Sequence, residues 1–230
     1  MSALTIDFSL PRKRLGILGG AFNPIHLAHL RLAEEARERC RLDQVLFLPT
    51  ADPPHKTLPK ESPVFHDRVA MVAAAIAGNP AFKVSALEGE RPGKNYSVEI
   101  LERLHSLYPD TDFFFIIGMD SFRDLAEWRD YRRLFLLTNL VVTRRPGVED
   151  DDFLGLLPVA IRSEFCYDSS IKILTHTSGT RVVFLEETFL DISSTYIRQL
   201  LLNGRSVRYL IPTPVADYIE QHALYSGRER

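Results

Sequence analysis

Two histidines stand three residues apart, shortly after a pair of glycines, in the segment LGILGGAFNPIHLAH. Gly19 and Gly20 follow an apolar run, and His26 and His29 open a helical pattern. A helix N-terminus carries free backbone N–H groups and partial positive charge, and glycine lets a phosphate approach the backbone closely. Residues three apart share a helix face, so both imidazoles can point at one anion. The segment predicts a phosphate-binding turn whose donors stabilise a growing oxyanion charge.

The spacing of this segment excludes two well-known phosphate-binding loops. It matches neither GxxxxGK[ST] nor the dinucleotide fingerprint GxGxxG. The alternative for the histidines is structural, with His26 capping the helix and His29 packed against a sheet.

A second pattern of the same kind occurs much later in the chain, in DISSTYIR. Ser193 and Ser194 precede a helical pattern, and Arg198 follows Ser194 by one helical turn. A helix N-terminus with two hydroxyls and a guanidinium predicts a second phosphate-binding corner. Because ligands of open α/β sheets bind at a topological switch point, both corners can meet at one cleft.

The alternation of apolar runs and helical patterns predicts an α/β fold. We expect a Rossmann-like, doubly wound parallel sheet with flanking helices and a small helical C-terminal part. The chain is predicted to be a single domain over residues 1–230, with a leader at 1–13 and the helical part at 191–225. Strands are expected at 15–18, 45–48, 82–87, 113–117, 139–143 and 181–185, and helices at 27–40, 65–77, 98–107, 194–202 and 214–225.

Residues 150–179 give the weakest pattern. We expect a loop, a short helical piece near 156–165 and a strand near 171–174, hosting an insertion or an oligomer contact. His66 and Asp67 suggest an HD phosphohydrolase, but the further metal ligands of that class are missing. Asp67 and Arg68 are therefore predicted to be helix-start charges.

Composition limits the class of protein. The 230 residues are 45% hydrophobic and 25% charged, which fits a globular domain with a sizeable core. A net charge of −2 does not favour a nucleic-acid surface. Apolar runs of about 18 residues, which a membrane span needs, are missing, as is a secretory signal. Cys40 and Cys166 are predicted to be free buried thiols in a reducing compartment, so we expect a cytoplasmic protein.

Polar residues follow several predicted strands. His55 and Lys56 lie in the proline-rich loop 49–63, where Lys56 can meet the outer phosphates of a nucleotide or simply be solvated. Asp120 comes shortly after the strand FFFII and Gly118, where its carboxylate can accept hydrogen bonds from a ribose. Ser97 is a helix N-cap candidate, and Trp128, by residue type alone, is a packing residue.

The first segment resembles the GxFxPxHxGH signature of the nucleotidyltransferase superfamily, and the second resembles its ISxTxIR segment. Ala21, Asn23 and Ala28 stand where many relatives have Thr or Ser, Asp, and Gly. The resemblance implies that ATP is bound by Gly19, Gly20, Ala21, Phe22, His26, His29, Ser193, Ser194 and Arg198. Ala21 would act through its backbone N–H alone.

Five further segments resemble the nicotinate-nucleotide adenylyltransferase branch: PPHK, NYS, IIGMDS, the tryptophan and RRPG. The resemblance implies that Ser97 meets the nicotinate carboxylate, that Trp128 stacks on the pyridine ring, and that the Arg129 backbone N–H binds that carboxylate. An arginine of RRPG would hold the mononucleotide phosphate. The implied mononucleotide-binding residues are His55, Lys56, Tyr96, Ser97, Gly118, Asp120, Trp128, Arg129, Arg144 and Arg145.

The implied activity is transfer of the adenylyl group of ATP to nicotinate mononucleotide in NAD biosynthesis, giving deamido-NAD and pyrophosphate. A phosphate nucleophile is already anionic, so catalysis is positioning plus charge stabilisation. The predicted catalytic residues are His26 and His29 on the α-phosphate and Arg198 and Lys56 on the leaving pyrophosphate, with Mg²⁺ carried by ATP.

Three alternatives to this activity stay open. They are a sibling transferase acting on nicotinamide mononucleotide, phosphopantetheine or a cytidine nucleotide, a silent nucleotide-binding module, and an HD phosphohydrolase. Association into a homo-oligomer is a further open expectation.

Overall fold

Eight strands form one sheet within the residues that the computed structural model describes, which are 13–53, 58–59, 62–91, 93–144, 152–186, 188 and 190–226. The strands are β1 Lys13–Gly20, β2 Gln44–Pro49, β3 Phe82–Val84, β4 Thr111–Gly118, β5 Asn139–Arg144, β6 Phe165–Asp168, β7 Ile173–His176 and β8 Arg181–Glu186. Their order is β3-β2-β1-β4-β5-β8-β7-β6. The strands from β3 to β8 in this order are parallel, whereas β7 runs antiparallel to both β8 and β6.

Helices cover both faces of the sheet. They are α1 Leu27–Arg39, α2 Phe65–Ile76, α3 Ser97–Leu107, α4 Met119–Arg123, α5 Tyr131–Leu137, α6 Ser194–Leu202 and α7 Thr213–Gln221. The buried apolar residues of α1, α2, α6 and α7 belong to one cluster, and those of α3, α4 and α5 belong to the other. The predicted doubly wound fold with flanking helices is therefore confirmed.

The central strands are apolar on both faces because helices cover both faces. In β4, Phe113, Phe115 and Ile117 join one cluster, whereas Phe114 and Ile116 join the other. This two-sided burial explains why the sequence of β4 shows an uninterrupted apolar run rather than an alternating pattern.

The strand order reverses between β1 and β4. The chain builds outward from β1 through β2 to β3, and then returns to place β4 and β5 on the other side of β1. Connections on the two sides of this point leave the sheet in opposite directions, which opens a crevice beyond the carboxyl ends of the strands. Gly20 ends β1 and Gly118 ends β4, so two glycines border that crevice.

The weakly patterned region 150–179 extends the sheet. A 3₁₀ turn covers Val159–Glu164, and β6 and β7 form an antiparallel pair beside β8. This antiparallel pair is an addition to the predicted parallel sheet. β6 is missing from the prediction because its sequence, FCYD, is too short and mixed to give a strand pattern.

Some predicted boundaries and burial states are also wrong. β1 begins at Lys13, within the predicted leader, and β3 ends at Val84, because Leu87–Glu90 forms a 3₁₀ turn. Helix α7 ends at Gln221, four residues before the predicted end. Cys40 is buried, as expected, but Cys166 is exposed on β6. Among the described residues, none of the helices is both long and apolar enough to cross a membrane.

Candidate active site

A cleft of about 360 Å³ lies beyond the carboxyl ends of β1, β4 and β5. Six residues that the sequence singled out line it: Gly19, Gly20, His29, Ser97, Gly118 and Trp128. Five polar residues that the sequence did not single out as ligands line it as well: Thr50, Glu88, Asn95, Ser121 and Thr143. The cleft therefore occupies the switch point between β1 and β4 of the observed strand order.

The two histidines form a stacked pair at the start of α1. Their ring centroids are 3.7 Å apart with an interplanar angle of 25°, and the His26 backbone N–H donates to Nδ1 of His29 at 3.2 Å. Because Nδ1 of His29 accepts, the proton of the neutral ring lies on Nε2, which becomes a donor. His26 occupies the N-cap position of α1 without capping it through its side chain.

Burial keeps this pair uncharged. It lowers the pKa of His26 to about 4, and this residue is only 5% exposed. Burial, together with the neighbouring His26, also lowers the pKa of His29 well below its ordinary value. Nδ1 of His26 has no hydrogen-bond partner among the described residues. At neutral pH the pair can therefore donate hydrogen bonds to a phosphate without carrying an imidazolium charge.

The ring of Phe22 packs against the histidine pair through His29. The residue is 2% exposed, and its ring meets His29 edge to face at a centroid distance of 5.1 Å and also contacts Phe47. Its φ of 44° is uncommon for a bulky side chain and is maintained by burial of the ring. A Cβ on Gly20 would approach this ring to 3.2 Å, so the glycine permits the close contact. Only the backbone of Phe22 remains for a ligand, because its ring is buried.

The second predicted corner lies against the first. Nη1 of Arg198 donates to the Asn23 carbonyl at 2.8 Å, and the Ser194 hydroxyl donates to the Pro24 carbonyl at 2.8 Å. Ser193 is the N-cap of α6, because its Oγ accepts the Tyr196 N–H at 3.2 Å. The start of α6 therefore contacts the turn between β1 and α1 directly, although Arg198 is not among the residues that line the cleft.

Ser97 and Trp128 line the cleft beside β4. Ser97 is the first residue of α3 and Tyr96 takes the N-cap position, so the predicted N-cap role of Ser97 is wrong. The half-buried Trp128 packs its ring against Phe115 at a centroid distance of 6.2 Å and also faces the cleft.

The other described residues that were predicted to bind the mononucleotide are not among those that line the cleft. Arg129 is exposed, with its guanidinium 4.6 Å from the centre of the Tyr96 ring and 3.1 Å from Glu99. Asp120 is exposed in the first turn of α4, and Arg144 is buried at the end of β5, 3.6 Å from a Glu186 oxygen. His55, Lys56 and Arg145 lie outside the described residues.

Arg68 and Glu88 hold the ends of β1 and β2. Arg68 is 1% exposed and donates to the carbonyls of Ala21 at 2.8 Å, Thr50 at 2.7 Å and Ala51 at 3.4 Å. Glu88 accepts the Ala51 N–H at 3.1 Å, and burial raises its pKa to about 7. The prediction of Arg68 as a helix-start charge is wrong, because its position on α2 faces the sheet.

The HD phosphohydrolase alternative has little support in the geometry. His66 is exposed, and Asp67 accepts a hydrogen bond from the Tyr218 hydroxyl at 3.1 Å. Across the described part of the chain, three or more His, Cys, Asp or Glu residues are nowhere gathered as a metal site would require.

Comparison with known proteins identifies the family. The cytidylyltransferase-like family model matches residues 17–200. A probable nicotinate-nucleotide adenylyltransferase of Syntrophotalea carbinolica is 63% identical over 217 residues, which are 94% of this chain and 99% of the relative. One of Geobacter sulfurreducens is 53% identical, over 93% of this chain and 98% of the relative.

Solved structures agree with the fold. A Plasmodium falciparum nicotinic acid mononucleotide adenylyltransferase, solved in complex with NaAD, has a TM-score of 0.70 at 20% identity, covering 93% of this chain and 98% of that one. The same enzyme in complex with APC has a TM-score of 0.69 at 19% identity, with the same coverage. With the glycine turn, the histidine pair and the serine-capped helix at one switch point, this chain belongs to the cytidylyltransferase-like family and, within it, to the nicotinate-nucleotide adenylyltransferases.

Proposed function

We propose that this chain transfers the adenylyl group of ATP to nicotinate mononucleotide, giving deamido-NAD and pyrophosphate. The observation that carries the proposal is the contact between the two predicted phosphate-binding corners. His29 faces the cleft beside Gly19 and Gly20, and Arg198 donates to the turn that leads to this histidine. The names of the close relatives and of the similar structures support the same reaction.

The ATP phosphates would lie along the turn between β1 and α1. The Gly20 and Ala21 backbone and the Nε2–H of His29 would meet the α-phosphate, with His26 behind them. The guanidinium of Arg198 has five N–H donors, and its bonds to Asn23 and Thr195 leave others for the β- and γ-phosphates. Ser193 keeps its hydroxyl hydrogen because its Oγ only accepts in the cap, whereas Ser194 donates its own to Pro24.

Nicotinate mononucleotide would lie on the β4 side of the cleft. Trp128 offers a ring face for the pyridine, and the Ser97 hydroxyl with the Arg129 N–H would take the carboxylate. Tyr96, Gly118 and Asp120 would contact the same nucleotide, and Arg144 with Arg145 would take its phosphate. His55 and Lys56 of the proline-rich loop would also bind the mononucleotide, and Lys56 would meet the leaving pyrophosphate.

The reaction is an in-line displacement at the α-phosphorus. An oxygen of the mononucleotide phosphate forms the new P–O bond, and the bond to the β-phosphate bridging oxygen breaks, so that pyrophosphate leaves with the electron pair. Because the nucleophile is already ionised, the reaction needs no general base, and positioned hydrogen-bond donors accelerate it. Mg²⁺ would enter with ATP, since this cation is usually held by substrate phosphates and water.

A pyrophosphate-release assay with paired substrates tests this function. ATP is supplied with either nicotinate or nicotinamide mononucleotide, in the presence of Mg²⁺ and, as a control, of EDTA. We expect release with the acid at a kcat/KM at least about tenfold above the amide, because the Ser97 and Arg129 donors match a carboxylate. Preference for the amide would assign the chain to a sibling activity, and ATP binding without release would indicate a silent module.

The wider expectations follow the same proposal. We infer that residues 1–230 act as a single nucleotidyltransferase domain, working in the cytoplasm. A homo-oligomer stays a prediction, which light scattering of the purified chain would test.

A further inference from the structure

Tyr225 reaches the turn between β1 and α1 from the segment that follows α7. Its hydroxyl donates to Oδ1 of Asn23 at 2.7 Å, across 202 residues of sequence. The Tyr225 side chain is buried, as residue 225 is 7% exposed, and Asn23 is 3% exposed. The Asn23 amide also donates from Nδ2 to Oγ of Ser62 at 2.8 Å. Both ends of one buried amide are therefore used by distant parts of the chain.

The turn around Asn23 carries the groups that the reaction needs. Three main-chain carbonyls of the turn accept hydrogen bonds from distant side chains. The Ala21 carbonyl accepts from Arg68, the Asn23 carbonyl from Arg198 and the Pro24 carbonyl from Ser194. At the start of α1, the Leu27 N–H donates to the Leu210 carbonyl at 3.0 Å. The turn has no regular secondary structure of its own, so these bonds decide where it lies. A small shift at Asn23 would move Arg198 and the start of α1 together.

The Tyr225 hydroxyl lies near both guanidinium groups that hold the turn. Arg198 and Arg68 each interact electrostatically with it, as does Asp67 on α2. Burial raises the pKa of Tyr225 far above neutrality, so the hydroxyl remains a donor at any pH suitable for an assay. The residue has a φ of 57°, and the Leu224 N–H donates to the Ile219 carbonyl, which directs the chain inward after α7.

We propose that Tyr225 is a positioning residue for adenylyl transfer, acting through Asn23 on the turn that places His26, His29 and Arg198. This inference rests on the proposed function for its catalytic consequence. It does not require that Tyr225 touch ATP, since the hydroxyl donates to Asn23 and the side chain is buried.

The test compares Tyr225→Phe with Tyr218→Phe. Both changes remove one phenolic hydroxyl, and the Tyr218 hydroxyl bonds Asp67 on α2 rather than the turn. We expect Tyr225→Phe to lower kcat for pyrophosphate release about 5- to 10-fold, the range of one hydrogen bond, with KM for the mononucleotide unchanged. Tyr218→Phe should leave kcat within about twofold of the wild type. A melting temperature lowered equally in both variants, with kcat unchanged in both, would show a structural role only and overturn the proposal.

A double-mutant cycle with Asn23→Ala identifies the route. If Tyr225 acts through Asn23, its change to Phe should alter kcat by less than about twofold in the Asn23→Ala background. A full loss in that background would contradict the route. If Asn23→Ala does not fold, Asn23→Ser serves in the same cycle.

Binding of α,β-methylene-ATP, measured by calorimetry, separates this inference from the function. If the wild type releases no pyrophosphate, the proposed function fails, but Tyr225→Phe should still bind the analogue several-fold more weakly than Tyr218→Phe does. Equal affinities of these two variants would overturn the positioning role whether or not the chain is active.

Discussion

At the scale of single residues, the donor that faces the cleft is a neutral imidazole. Nδ1 of His29 accepts from the His26 backbone, which leaves its Nε2–H as a donor, and the Phe22 edge holds the ring. A preorganised donor of this kind stabilises charge that grows in the transition state without needing to reorient. The pair therefore suits a reaction in which charge moves onto phosphate oxygens rather than one that needs a proton carrier.

His29→Ala tests this role. We expect kcat for adenylyl transfer to fall about 100- to 1000-fold, as for the removal of one oxyanion donor, while circular dichroism remains that of the wild type. The matched control is His66→Ala, which removes an exposed histidine on α2. That variant should keep its activity, and loss of phosphate release in it would instead favour the HD phosphohydrolase. Near-wild-type turnover by His29→Ala would remove the imidazole from the mechanism.

Two buried titratable groups in this region make the stability of the fold depend on pH in opposite directions. His26 has its pKa lowered to about 4, so the unfolded chain binds the extra proton between pH 4 and 6.5 and stability is lost as the pH falls. Glu88 has its pKa raised to about 7, so the folded chain holds the extra proton between pH 4.5 and 7 and stability is lost as the pH rises.

Urea unfolding at pH 7.5 and pH 5 measures both groups. Relative to the wild type, we expect His26→Gln to lose about 2 kcal/mol less on acidification, because each pKa unit corresponds to about 1.4 kcal/mol. Glu88→Gln should lose more stability than the wild type on acidification, by a similar amount, because it lacks the carboxyl that takes up a proton in the folded state. Parallel pH curves for the three proteins would show that neither group is perturbed by burial.

The residues that could be predicted from the sequence are those whose role follows from local spacing. The two histidines, the two glycines and Arg198 stand in short patterns with a physical meaning at a helix start. Arg68, Asn23 and Tyr225 could not be predicted as a group, because their bonds join parts of the chain far apart in sequence.

At the scale of elements, Arg68 couples α2 to the ends of two strands. Its guanidinium donates to carbonyls at Ala21, after β1, and at Thr50 and Ala51, after β2. A buried arginine fits here because its planar group can satisfy several carbonyls at once. Carbonyls left without a donor inside a protein each cost about 1–3 kcal/mol.

Arg68→Leu should therefore lower the free energy of unfolding by several kcal/mol. Arg68→Lys should recover only part of the loss, since an ammonium group cannot reproduce the forked geometry. Arg129→Ala is the control, because this arginine and Glu99 are both exposed and such pairs contribute at most about 1 kcal/mol. Equal losses for Arg68→Leu and Arg129→Ala in urea unfolding would contradict the assignment.

Elements were predictable where their pattern was long. The apolar run of β4 and the helical patterns of α1, α2 and α6 gave correct elements with boundary errors of a few residues. The antiparallel arrangement of β6 and β7 was not predictable. Strands of four residues are too short to show a clear hydrophobic alternation, and their pairing depends on β8, which follows them in the chain.

At the scale of the whole molecule, the cleft has two ends with different partners. The glycine turn and α1 border one end, and α6 contacts the turn there, whereas α3, Trp128 and β4 border the other end. The alternation of strands and helices predicted a cleft at a switch point. The buried Glu88 in the wall of this cleft could not be predicted, because its position depends on how distant segments pack.

Trp128→Ala tests the separation of the two ends. We expect the Kd of nicotinate mononucleotide to rise at least about tenfold, because a stacking aromatic of this size contributes roughly 1–3 kcal/mol. The Kd of ATP should stay within about twofold, since Trp128 lies on the β4 side of the cleft. Calorimetry with each nucleotide alone measures both, and an equal weakening of the two would show that the residue only supports the fold.

The most direct test of the account is a crystal structure with α,β-methylene-ATP. We predict that Nε2 of His29 and the guanidinium of Arg198 both lie roughly 2.7–3.2 Å from oxygens of one triphosphate, with His29 on the α-phosphate and Arg198 on the β- or γ-phosphate. A nucleotide that is bound away from the glycine turn, or that touches only one of the two corners, would contradict the central claim.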